Sequence, residues 1–146
     1  GIAETVMDEI AGFSYCELGT SAYQLTLSAG TGEWSGNNRT GCDDMDDFHG
    51  LNQKPPLDPW GVQFGRDSVG TTERHASFCL PMNYLSRFRC KVEGYYVSAT
   101  DLNTALTGTN VSDYRAFHVK VSVTDPGTNE REIVNLRRVF SNVPAL

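Results

Sequence analysis

The residues of this chain best suited to chemistry lie in one ten-residue stretch, Gly41-Cys42-Asp43-Asp44-Met45-Asp46-Asp47-Phe48-His49-Gly50. The carboxylates of Asp43, Asp44, Asp46 and Asp47 repel one another. They must be solvated, neutralised by a cation, or satisfied by backbone N–H groups and basic side chains. Calcium is the cation such a set would suit, since it takes about six to eight oxygens from carboxylates, carbonyls and water. The spacing departs from the EF-hand loop, so that motif is excluded. The competing reading is that the aspartates cap a short helix or close Asx turns. His49 is placed to act as a general base or metal ligand beside them. No nucleophile accompanies it: the chain has no G-x-S-x-G, no H-E-x-x-H and no glycine-rich phosphate loop. His75 and His118 stand alone, and no catalytic residue is expected.

The elements that must position this stretch follow from patterning along 146 residues, a length suited to one domain, 1–146. Ile2, Val6, Ile10 and Phe13 recur at helical spacing over residues 2–13, with Glu4, Asp8 and Glu9 on other faces. That pattern begins without a capping Ser or Asp, so 1–13 reads as the end of a longer helix. Residues 14–75 lack periodicity and are rich in Gly, Asn, Asp, Thr and Pro, with Trp34, Trp60 and Phe64 as the expected apolar anchors. Region 76–146 reads as sheet. Lys91–Thr100 is rich in β-formers, and Tyr84–Lys91 could extend it. Phe117, Val119, Val121 and Val123 alternate with His118, Lys120 and Ser122. Asp125-Pro126-Gly127-Thr128-Asn129 is a turn, so 115–140 is predicted to be a hairpin.

Composition bounds the function. The net charge of −6 argues against nucleic acid as a partner. Residues 1–73 carry twelve acidic and three basic side chains, whereas 74–146 carry six and nine, a polarity suited to head-to-tail contacts. Cys16, Cys42, Cys79 and Cys90 form no C-x-x-C pair and fit no usual zinc spacing. Four cysteines in a small, turn-rich domain read as two disulfides formed in an oxidising compartment. Three pairings are open; Cys16–Cys42 with Cys79–Cys90 is favoured because local closure has the smallest loop entropy.

Val6-Met7-Asp8-Glu9-Ile10 within 3–12, together with Asp43-Asp44-Met45-Asp46-Asp47-Phe48-His49-Gly50-Leu51, resembles the MshD-like minor pilins of mannose-sensitive haemagglutinin (MSHA) type IV pili. The resemblance is local in sequence and otherwise one of element order. It implies an α+β, type IV pilin-like fold: a truncated N-terminal helix, a long disulfide-stapled loop and a C-terminal antiparallel β-sheet. It also implies a structural role in assembling or capping a pilus involved in adhesion, with other pilin or pseudopilin subunits as partners. On the same basis the chain would be an ectodomain facing the periplasm or the pilus exterior, anchored in the inner membrane of a Gram-negative bacterium through a missing hydrophobic helix. Two alternatives accompany this expectation. One is a secreted, calcium-dependent glycan-binding module using Trp34, Trp60 or the tyrosines. The other is a metal-dependent hydrolase built on the Asp/His cluster.

Overall fold

The computed structural model describes residues 1–66, 79–81 and 83–143. One helix, α1 (Ile2–Ala11), precedes a four-stranded antiparallel sheet of β1 (Asn52–Gln53), β2 (Phe88–Tyr96), β3 (Tyr114–Thr124) and β4 (Glu130–Ser141), in spatial order β1-β2-β3-β4. A single turn of 3-10 helix at Asp46–Phe48 lies between helix and sheet in the chain.

The period-2 pattern of β3 dictates the layering. Phe117, Val119, Val121 and Val123 are all buried, and Val92 and Cys90 of β2 stand opposite Val119 and Val121 in register. Ala3, Val6, Met7 and Ile10 of α1 close over this face, joined by Met45, Phe48 and Leu51 from the connecting segment. Burying side chains of the Val, Met and Ile size stabilises the fold by roughly 1.5–3 kcal/mol each, so the helical stripe is held by the sheet. Gly94 makes the layers fit: a Cβ there would lie 2.5 Å from the ring of Phe117, which crosses the strand at that point. The hairpin turn follows Asp125, where the Thr128 N–H donates to the Asp125 carbonyl and Gly127 takes a φ of +74°.

The expected α+β, type IV pilin-like class does not hold. Among the described residues the chain is mostly a four-stranded antiparallel sheet, with one ten-residue α-helix packed on it. The amphipathic spacing at the N-terminus is real, but the helix ends at Ala11: the Gly12 N–H donates back to the Glu9 carbonyl and the chain turns away. No disulfide is formed among the described residues, against the expectation for Cys16–Cys42 and Cys79–Cys90. Cys42 and Cys90 instead pack as small hydrophobes in the core, where burial pushes each thiol up to about 11. Trp34 and Phe64 do pack on the core, but Trp60 is two-thirds exposed and anchors nothing. Among the described residues no helix is long and apolar enough to cross a membrane.

Candidate functional site

The acidic stretch lies at the junction of helix and sheet, with Asp44, Asp46 and Asp47 buried and Asp43 exposed. Its entry is fixed by the Met45 N–H donating to the Ser14 carbonyl (2.9 Å), which ties it to the segment leaving α1. Phe48, fully buried, then packs against Phe13 with ring centroids 5.3 Å apart. Beyond it, the Gly50 N–H donates to the Val92 carbonyl and the Val92 N–H to the Leu51 carbonyl, so the chain runs on beside β2.

Each aspartate has a different occupation. Asp44 Oδ1 accepts the Asp46 N–H (2.7 Å), an Asx-type closure. Asp47 Oδ2 accepts the N–H groups of Asp43 (2.8 Å) and Asp44 (3.2 Å), closing the same turn from its other end. Asp46 reaches the sheet: its Oδ1 accepts a hydrogen bond from Arg115 Nη1, in an ion pair with both side chains buried. Burial pushes the Asp46 carboxyl up to about 7, against the downward pull of Arg115. His49 is not paired with an aspartate. Its Nδ1 accepts the Gly94 N–H (2.9 Å), making it a support for β2.

Arg115 is the centre of this arrangement, and sequence reasoning passed it by. It sits on the inward face of β3, where an unbroken apolar row was the natural expectation. Its Nη1 also donates to the Tyr15 carbonyl, and its Nη2 donates to the Ala22 carbonyl (3.0 Å) and the Tyr96 hydroxyl (2.9 Å). The guanidinium lies over the rings of Tyr15 (4.2 Å) and Tyr96 (5.0 Å). A planar, permanently charged group with donors on every edge can join three chain segments at once, which lysine cannot do.

A second buried arginine, Arg39, does the same at the other end of the loop. It grips Glu9 of α1 bidentately (2.9 and 2.7 Å) and donates to the carbonyls of Leu57 (2.9 Å) and Asp58 (3.1 Å) and to Gln53 Oε1 (3.2 Å). The only sequence cue for it was its position, as one of three basic residues in an acidic half.

The candidate cation set also changes membership. Asp44 and Asp46 are turned to the turn and to Arg115, whereas Asp43 and Asp47 meet Glu33 of the preceding loop, with one carboxylate oxygen from each within 4.8 Å of the others. Gly41 permits this approach, since a Cβ there would stand 2.9 Å from the Glu33 carbonyl oxygen. Burial, and then a hydrogen bond with Asp47, push the Glu33 carboxyl up to about 7, while the Gly30 N–H holds its Oε2. Glu33 thus answers part of the repulsion by retaining a proton. His118 lies on the outer face of the sheet, between the Tyr95 hydroxyl (2.8 Å) and Asn135 Oδ1 (2.6 Å). His75 lies outside the described residues.

No protein family, curated protein or solved structure matches the chain. The functional reading therefore rests on residues and geometry.

Proposed function

We propose that the chain is a non-catalytic structural subunit, of the minor-pilin or pseudopilin kind, acting in assembly or capping of a type IV pilus of the MSHA type. Its partners are other pilin subunits, and its place is the periplasmic side of the inner membrane or the pilus itself. The observation that carries this reading is the use made of the acidic stretch. Its aspartates close a turn and pin it to Arg115, joining the end of α1 to β3, and His49 braces β2. Met7 and Ile10 of the Met-Asp-Glu-Ile stretch share one core cluster with Met45, Phe48 and Leu51 of the Asp-Asp-x-Asp-Asp-Phe-His-Gly-Leu stretch, the two on which the resemblance rests. The proposal concerns role alone; the architecture is the antiparallel sheet described above.

Photo-crosslinking of the full-length gene product in cells should trap it on pilin subunits, and a deletion strain should lose normal piliation or adhesion. Normal piliation and adhesion in that strain, with no crosslink to a pilin, would refute the role.

A calcium-dependent glycan-binding module is the second reading, favoured by the convergence of Glu33, Asp43 and Asp47 and by the exposed Trp60. Glycan-array binding that is abolished by EDTA and by Asp43→Asn would promote it over the first; array signals unchanged by EDTA would remove it.

A further inference from the structure

The two edges of the sheet are treated differently. At one edge β1 is only two residues long, the common way of blunting an edge against pairing with other chains. At the other edge β4 runs for twelve residues, and among the described residues it pairs only with β3. Its first part is guarded: a register irregularity falls opposite Val121/Ser122, and Glu130, Arg131 and Glu132 place charges there. Its second part, Val134-Asn135-Leu136-Arg137-Arg138-Val139-Phe140-Ser141, carries no Pro, no Gly and no acidic residue, and keeps unbroken register from Val134 to Ser141. This half retains a row of outward N–H and C=O groups that a further strand could take up.

Charge decides what kind of strand fits. The segment's charged side chains are Arg137 and Arg138, on opposite faces of the sheet. Arg137 donates to the Tyr95 hydroxyl (3.3 Å) and the Leu102 carbonyl on the outer face, whereas among the described residues Arg138 has a long, exposed contact to Asp8 (3.4 Å) on the helix face. Antiparallel pairing with a second copy across this regular half, symmetric about Arg137 or Arg138, sets that arginine against itself, and like charges directly opposite are destabilising. An incoming strand with carboxylates on both faces meets both arginines favourably.

We propose that the outer edge of β4 over residues 134–141 is a strand-acceptor site, which takes an extended acidic segment of a different protein chain and adds it as a fifth strand. The site does not depend on the pilus reading. Backbone pairing supplies affinity, and the arginines select acidic over basic segments.

The test is amide hydrogen exchange on the intact protein with two short capped peptides, one repeating Val-Val-Glu-Glu and one repeating Val-Val-Lys-Lys, so that each carries its charges on both faces of the strand. The glutamate peptide should slow exchange of alternate β4 amides between 134 and 141 by about tenfold or more, leaving β1 unchanged, and the lysine peptide should not. The Arg137→Glu/Arg138→Glu variant should reverse that preference. Equal protection by both peptides, no protection by either, or protection that rises with protein concentration in the absence of peptide would each overturn the proposal. The last of these would assign the edge to a second copy.

Discussion

The two faces of the β2–β3 pair carry the same kinds of residue and use them in opposite ways. On the inner face Arg115 is completely buried against Asp46, wedged between Tyr15 and Tyr96 and bonded to three chain segments. On the outer face Lys120 pairs with Glu93 (2.6 Å) and Arg89 reaches across β3 to Glu130 (2.9 Å), both pairs in contact with water and confined to the sheet surface. Identical charge chemistry is a structural pin in one place and a decoration in the other. The difference is desolvation: a buried charge stripped of its partner has no water to turn to, whereas an exposed one regains its hydration.

Removing the pin should give the largest effect. Arg115→Ala should lower unfolding free energy by about 3–5 kcal/mol, because it leaves Asp46 buried without its counter-charge and the Ala22 carbonyl without its arginine donor. Urea denaturation measures it, and a loss under about 1 kcal/mol would erase the contrast between the faces. Arg39→Ala should follow at about 2–3 kcal/mol, since its partner Glu9 keeps some exposure and can recover water. If the Arg39 variant proved the more damaging of the two, the loop-to-helix clamp would replace the loop-to-sheet pin as the main joint.

A smaller effect should appear as pH dependence. The folded chain holds a proton on Glu33 up to about pH 7, against an ordinary value of 4.5. Between those values the folded state binds more protons than the unfolded one, so this group makes stability fall as pH rises through that window and level off above it. Glu33→Gln, which keeps a donor toward Asp47, should flatten the profile and raise Tm at pH 8 by about 2 °C. A melting profile that remained equally steep from pH 4.5 to 7 would show that Glu33 does not carry the proton; Asp46, raised by burial over the same range, would then be the group to vary. Smallest of all should be the outer face. A double-mutant cycle on Glu93 and Lys120 should give a coupling below about 1 kcal/mol that fades in salt. A larger, salt-resistant coupling would mean that this face is covered in the working protein.

Much of the frame was readable from residue order. The spacing of Ile2, Val6 and Ile10 marked the helix, and the alternation from Phe117 to Val123 with the Pro-Gly turn marked the hairpin, because local geometry imposes periods of 3.6 and 2 on whatever faces a core. The acidic stretch was readable as an unusual turn, with Asp44 and Asp47 closing it as short side chains do. Its partners were not readable. Arg115 lies 69 residues from Asp46 along the chain, and Glu33 joins Asp43 and Asp47 from a separate loop; nothing in local spacing connects them.

By itself, then, the sequence determined which segments are helix, hairpin and turn, and that four neighbouring carboxylates would need neutralising. Tertiary structure alone decided how. It buried Asp46 against Arg115 and gave Glu33 a proton. It also kept Cys42 and Cys90 as core thiols and ended the helix at Ala11, packed against a sheet that dominates the fold. Periodicity is set by bonds along the chain. The state of a charge or a thiol is set by the water it loses and the groups it meets, and those depend on which distant segments fold onto it.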